Sequence, residues 1–398
     1  MIKEIKIENF KSIQSLNLEL GQINVFIGAN GSGKSNILEG IALGSAVSEG
    51  KGDNEFLAAR GIRVVSEAQM KSGFNKLENK ILFEFLISGF KYIIPIEYNS
   101  KKWVEQKNTN YIDIDSQKIK KEGVAKMLEQ KTNNKDIIEA FNLIMDSKTE
   151  ELDMSKLSAL QLDNIVALGN IAKEINSEKK AYLDFFIFAP ENTFLRRFEE
   201  ETQIKPLGIR GEGLFKEIAE MAVHKPEQFA KINQYLQLFD WFEGFEIPND
   251  LKFTEQRIKI KDQFLEEGLQ YIDQRSANEG FLYLLFYLTL FISDDTPKFF
   301  AIDNIDNAMN PKLGRELIKL LAQLAKEHGK QVILTTHNPA ILDGLNLNDD
   351  AQRLFVISRN AEGHTKALRI HKDPIVKDKI PVKLSEQFLR GYIGGLNF

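Results

Sequence analysis

Eight consecutive residues, Gly28-Ala29-Asn30-Gly31-Ser32-Gly33-Lys34-Ser35, fit the spacing G-x-x-x-x-G-K-[ST] without a gap. The chemistry such a stretch can do is polyphosphate binding. Glycines let backbone N–H groups turn inward around the phosphates, at a helix N-terminus whose field favours negative charge. Asn30, Gly31, Ser32, Gly33 and Asn36 are the expected lining of that loop. Lys34 is expected to reach the β- and γ-phosphates of ATP, and the Ser35 hydroxyl to ligate Mg²⁺.

A glycine loop alone does not hydrolyse anything. The metal needs an acid, the attacking water needs a positioning group, and the γ-phosphate needs a sensor. Asp303 follows four apolar residues, Phe299-Phe300-Ala301-Ile302, where a strand would end and a metal-binding aspartate would sit. The next position in such sites usually carries a glutamate that polarises the water. Here it is Asn304, whose amide can orient a water but cannot accept its proton. Asp306 is the nearest alternative acid. Downstream, Thr335-Thr336-His337 ends another apolar run, where an imidazole can hydrogen-bond the γ-phosphate. The remaining histidines, His224, His328, His364 and His371, have no metal-ligand spacing.

These residues need a scaffold, and the hydrophobic pattern supplies one. Ile23 to Ile27 reads as a buried strand and Asn36 onward as a helix, with Ile37, Leu38 and Ile41 at helical spacing. Residues 1–20 alternate as one or two strands, and Lys80 to Tyr98 as a hairpin turned at Ser88-Gly89. Residues 50–77 read as irregular, with a short strand at Ile62-Arg63-Val64-Val65. Between 100 and 180 the composition turns to Lys, Glu, Asn, Asp and Gln with apolar residues at helical intervals, a helical insertion. Strands are expected at Asp184 to Pro190, Leu251 to Lys261, Lys298 to Ile302, Gln331 to Thr335 and Leu354 to Ile357. Helices are expected from Gly213 to Leu238, Gly280 to Ile292 and Arg315 to His328, the last closed by Gly329. Strands alternating with helices mean a mainly parallel sheet with ligands at the carboxyl ends of its strands.

Composition narrows the class further. The chain has 398 residues, 43% of them hydrophobic and 27% charged, enough for one large domain or two. A net charge of −5 argues against a protein coated in basic surface. With no cysteine there is no disulfide, thiolate zinc site or thiol nucleophile, and the cytoplasm is the simplest expectation. The longest apolar run, Phe281 to Ile292, is too short to span a bilayer, and the first residues do not read as a signal peptide.

The start of the chain, IxNFKSIxxLxLELGxINVFIGANGSGKSN, resembles the SMC and RecF-like branch of ABC ATPases, and within it the ATPases of bacterial antiphage systems, including the OLD-family nucleases. Asp303-Asn-Ile-Asp-Asn-Ala-Met-Asn-Pro311 and Thr335-Thr-His-Asn-Pro339 stand where that family has DEPENGLHP and its switch histidine; Asn304 departs from the pattern. Ser276-Ala-Asn-Glu-Gly280 stands where it has the signature that contacts the nucleotide of a second subunit, which makes Ser276, Asn278 and Gly280 binding candidates. The resemblance implies a P-loop ABC ATPase head of α/β class: a mainly parallel sheet flanked by helices, an N-terminal antiparallel strand region and the helical insertion. Its parts would be an N-terminal lobe over 1–100, the insertion over 101–183 and a C-terminal lobe over 184–398.

The resemblance also implies ATP and Mg²⁺ as cofactors and heads pairing as a homodimer or higher homo-oligomer. The chain would then be a slow, ATP-locked sensor or scaffold that holds a separate nuclease-like effector until a phage-derived trigger arrives. A DNA-repair ATPase of the RecF kind is the alternative. It wants a basic groove, for which Lys118, Lys120, Lys121, Arg196 and Arg197 are candidates against an acidic overall balance.

Overall fold

The computed structural model describes residues 1–74, 80–88, 90–98, 101–105, 177–197, 207–248, 257–266, 268–371 and 382–393. Most of the expected insertion, Lys118, Lys120 and Lys121 within it, lies outside the described residues.

The N-terminal strands β1 (Ile2–Phe10) and β2 (Ile13–Glu19) join the hairpin β4 (Ile81–Ile87) and β5 (Phe90–Tyr98) and the short β6 (Trp103–Glu105). They form an antiparallel sheet in the order β2-β1-β4-β5-β6. Alternation explains it: Ile5 and Ile7 face inward while Lys6 and Glu8 face out, and in β4 Ile81, Phe83, Phe85 and Ile87 are all buried. The expected hairpin is present, with Ser88 taking a left-handed φ of 49° at the turn.

The second sheet positions the site. It runs β14 (Thr365–Ile370), β13 (Gln352–Arg359), β3 (Ile23–Ile27), β12 (Gln331–Thr336), β11 (Phe299–Ile302) and β7 (Phe186–Phe188), all parallel except the β13–β14 pair. The parallel strands are apolar runs because helices cover both faces. The sides of β3 divide accordingly: Ile23, Val25 and Ile27 enter one hydrophobic core and Phe26 the other.

Between the two sheets lies α1 (Lys34–Ser48), with α2 (Asn54–Ala59) and α3 (Glu67–Met70) after it. On the far side α4 (Asn192–Arg196), α5 (Leu214–His224), α6 (Pro226–Leu236), α7 (Glu279–Ile292) and α8 (Pro311–His328) enclose the other core. Every residue of α7 from Phe281 to Ile292 is buried. An antiparallel trio, β8 (Phe242–Glu246), β9 (Lys259–Asp262) and β10 (Tyr271–Asp273), a 3₁₀ helix over Pro339–Gly344 and a helix α9 (Leu384–Leu389) also lie among the described residues.

Three expectations change. Ile62 to Val65 is not a strand; Ile62 is buried, but its N–H closes the end of α2 on Leu57 O (3.2 Å) instead of pairing with a neighbour. The segment around it holds α2, capped by Asp53 accepting the Phe56 N–H (2.9 Å), and α3, opened by a Ser66–Gln69 capping box. The helix expected from Gly213 to Leu238 is two, because Pro226 cannot donate to the turn before it and starts α6 afresh. Of the strands expected over 251–261, only β9 lies among the described residues.

Candidate functional site

The glycine loop joins the carboxyl end of β3 to α1. Gly31 and Gly33 take φ of 74° and 108°, values that L side chains rarely adopt. Gly33 caps α1 with no side-chain hydrogen bond and the first turn carries no acid, so the helix presents its free N–H groups and its positive end to the loop. Room for this turn is made by contact: a Cβ on Gly28 would stand 2.1 Å from Ile357 O, and one on Gly33 2.1 Å from Thr365 Oγ1.

Two polar groups test whether the loop fits a polyphosphate. The Ser32 hydroxyl is buried with no hydrogen-bond partner. The Lys34 ammonium, 6% exposed, donates to Gly28 O (2.8 Å) and Ala29 O (3.0 Å), which leaves one of its three donors. Burial pulls the Lys34 pKa below its ordinary value, against the opposing charges of Asp303 and Asp306. An orphaned hydroxyl, a spare ammonium donor and an uncapped helix N-terminus are what an entering polyanion would satisfy. The residues fit the group.

The second constellation hangs on two threonine hydroxyls. Asp303 follows β11, its N–H bonded to Phe188 O of β7 (2.8 Å) and its carboxylate to the Thr335 hydroxyl. That hydroxyl also accepts the Asn304 N–H (2.9 Å), and Asn304 takes a left-handed φ of 54°. The Thr336 hydroxyl accepts the Asn338 N–H (3.0 Å) and donates to Asp306 Oδ1 (2.7 Å). Burial, then the Lys34 cation, lowers the His337 pKa, while Asp306 and Asp303 oppose the shift. Lys34 and His337 therefore each lie within electrostatic reach of Asp303 and Asp306, at the carboxyl ends of β3, β11 and β12. The sequence singled out these four residues across three hundred positions, and the fold brings them together.

The other candidates divide. Ser35 and Asn36 are half-buried in the first turn of α1, where Asn36 Nδ2 donates to Ser12 Oγ (2.6 Å); Asn30 and Gly31 are exposed on the loop. Asn278 caps α7 by accepting the Phe281 N–H (2.7 Å), and Ser276 bonds back to Asp273 (3.2 Å). Both are exposed and their bonds are local, while Gly280 lies against the Ala308 carbonyl just after the Asp303 turn. Arg196, proposed for a basic groove, spends its guanidinium on Asn192 Oδ1 (2.8 Å) and Arg275 O (2.6 Å); Arg197 is exposed.

Sequence reasoning missed the support behind the loop. Thr365, at the start of β14, shares a hydrogen bond with Ser12 Oγ (2.7 Å) and donates to Ser32 O (3.3 Å). No alternation marks β14 in the sequence, where Lys366, the exposed Leu368 and Ile370 share one face. Nothing local announces that its first hydroxyl reaches the glycine loop.

The fold is of the SMC-head type. The head of SMC bound to the C-winged helix domain of ScpA superposes with a TM-score of 0.52 at 15% identity, over 93% of this chain and 98% of that one. The SMC heads of Thermotoga maritima (TM-score 0.46, 13% identity, 93% and 99% covered) and Pyrococcus furiosus (0.45, 16%, 93% and 96%) are more distant in shape. Over residues 23–343, more than half its length, the chain matches the family described as "AAA domain, putative AbiEii toxin, Type IV TA system", and it belongs to that family. It is also 51% identical over 51 residues to the uncharacterized protein MJECL10 of Methanocaldococcus jannaschii, a match covering 13% of this chain and 23% of that relative. Among the described residues no helix is long and apolar enough to cross a membrane.

Proposed function

We propose that the protein is a slow ATPase switch, carried by one observation: the Lys34, Asp303, Asp306 and His337 cluster contains no glutamate after Asp303. In this reading the loop N–H groups and Lys34 hold the phosphates of ATP, and Ser35 and Asp303 hold Mg²⁺. Bound MgATP supplies the scissile phosphoanhydride and the metal's charge neutralisation. Asn304 orients water without taking its proton, Asp306 is the base that remains, and neutral His337 hydrogen-bonds the γ-phosphate. An aspartate two residues beyond the usual position, with a shorter side chain, makes hydrolysis slow.

The assignment of 1–100 and 184–398 to two lobes of one head, with 101–183 as an insertion, belongs to the same proposal. So does the assembly. Ser276 and Asn278, exposed and with only local hydrogen bonds, and Gly280 beside them suit contact with the nucleotide of a second copy, giving an ATP-clamped homodimer or higher oligomer. A switch of that kind in this family fits a cytoplasmic antiphage complex in which the ATP-locked state restrains a separate nuclease-like effector until a phage-derived trigger arrives. The test is ATP turnover beside mass photometry on the full chain. Turnover below about 1 s⁻¹, the lower end for typical enzymes, with an ATP-dependent larger assembly that Lys34→Ala abolishes, is expected. Brisk turnover by a monomer refutes it.

A further inference from the structure

Thr336 is fully buried at the end of β12, after the apolar Val332, Ile333 and Leu334. Valine would fill the same space there, and a buried hydroxyl is costly unless it is hydrogen-bonded. The Thr336 hydroxyl is bonded twice, and both bonds run to the site. It donates to Asp306 Oδ1 (2.7 Å) and accepts the Asn338 N–H (3.0 Å). Its single proton is committed to the acid, because the other acceptor in range, Asn338 O, stands at 3.5 Å.

The hydroxyl oxygen is a fixed point. A β-branched side chain is restricted at χ1, and complete burial restricts it further. The strand end is itself fastened to the turn that carries the acid: the Ile305 N–H donates to Thr335 O (3.0 Å) and the Asn304 N–H to Thr335 Oγ1 (2.9 Å). Consecutive threonines thus divide the two acids between them, Thr335 bonding Asp303 and Thr336 bonding Asp306.

The second bond gives Thr336 a reach that Thr335 lacks. Its oxygen joins the half-buried Asp306 carboxylate to the backbone just beyond His337, two segments that no other side-chain hydrogen bond of Asp306 connects. Holding Oδ1 also sets the direction of the carboxylate. Among the described residues Oδ2 carries no hydrogen bond, so it is the oxygen left to accept a proton.

We propose that Thr336 is a positioning residue for Asp306: its hydroxyl pins Oδ1 and, through the Asn338 N–H, the backbone beyond His337, so that the acid and the imidazole are held in one register. The inference rests on the reading of Asp306 as the remaining base.

The test is Thr336→Val in the full chain, beside wild type, Thr336→Ser, Asp306→Asn and the double variant of Thr336→Val with Asp306→Asn. At saturating MgATP, Thr336→Val is expected to lower kcat about tenfold, the effect of one hydrogen bond to a charged group, with KM unchanged. Thr336→Ser keeps the hydroxyl and is expected to recover most of that loss. In the Asp306→Asn background, Thr336→Val is expected to lower kcat no further. Without nucleotide, Thr336→Val is expected to speed amide exchange at Asn338 about two- to tenfold, read by mass spectrometry on peptides over 335–340, and Thr336→Ser to leave it as in wild type. An unchanged kcat or an unchanged exchange rate overturns the proposal. So does a serine variant as slow as the valine one, or the same tenfold loss in the Asp306→Asn background. If valine prevents folding, Thr336→Ala takes its place in each comparison. If Asp306→Asn turns over ATP at the wild-type rate, the reading of Asp306 as the base fails; if it is slow and Thr336→Val is not, only the role of Thr336 fails.

Discussion

Gly33→Ala probes how the β13–β14 hairpin supports the glycine loop, and its cost has two separable parts. The first is conformational: a φ of 108° on an L residue costs about 1–3 kcal/mol wherever it occurs. The second is steric. The new Cβ would stand 2.1 Å from Thr365 Oγ1 and 2.8 Å from its Cγ2, so Thr365, itself fully buried, must move off Ser12 and Ser32, adding about 1–3 kcal/mol of overpacking. The single variant is therefore expected to lose about 2–6 kcal/mol, a large fraction of a typical folding stability. Thr365→Ala alone gives up the bond to Ser12 and costs about 0.5–1.5 kcal/mol. Combining them removes the two nearest atoms that the new methyl group strikes, leaving the Cβ of residue 365 at 3.0 Å, while the φ strain remains. Urea melts of the four proteins, with m unchanged, should show the double variant about 1–3 kcal/mol more stable than the sum of the singles. Additivity to within about 0.5 kcal/mol would refute the claim that Thr365 sets the space behind the loop.

Three further outcomes are expected. Asn304→Glu should raise kcat, read by phosphate release, if position 304 holds the attacking water; an unchanged rate counts against that placement. ATP should be taken up with protons near pH 6, because a bound polyanion offsets the burial and the Lys34 charge that keep His337 neutral and so raises its pKa. Titration calorimetry in buffers of differing ionisation enthalpy should show less proton uptake for His337→Gln, and equal uptake would remove His337 from the phosphate site. Arg60→Ala should cost about 2–4 kcal/mol in denaturant melts, as expected when a large buried side chain and its hydrogen bonds are removed from between two rings. The guanidinium is 1% exposed, lies between Phe56 and Phe186 (4.7 and 4.6 Å) and donates to Phe185 O (2.9 Å) and Asp184 Oδ1 (2.7 Å); a loss under about 1 kcal/mol would mean these contacts are replaced.

The parts of the fold that were legible share a physical cause. Strands β3, β7, β11, β12 and β13 are covered on both faces, so each carries a short apolar run, broken in β3 by the buried Asn24, that stands out from its surroundings. Asp303 and His337 were found because each lies where such a run stops, and Lys34 because the glycine-loop spacing follows one. The half-exposed β8 and β10 carry no such contrast, and their pairing with β9 is visible only in three dimensions. Ile62-Arg-Val-Val misled because β-branched residues favour a strand only where a neighbour exists to pair with. At the site, side-chain types predicted the groups that face the phosphates but not those that hold them. The Thr335 and Thr336 hydroxyls and the left-handed φ of Asn304 are set by tertiary placement that no local pattern encodes.

The strand before the glycine loop has a further consequence, for how the chain is made. In the sheet, β3 lies between β12 and β13, both synthesised some three hundred residues later; Thr336 pairs with Ile27 and Val356 with the same residue from the other side. Closing two loops of that length is slow, and until both close β3 has two bare edges. A ribosome that has finished the first three quarters of the protein therefore carries a complete glycine-loop sequence that cannot yet bind anything. Stop codons anywhere before the end of β13 should yield aggregation-prone chains instead of weak ATPases, and chaperones should meet the nascent protein along its N-terminal strands.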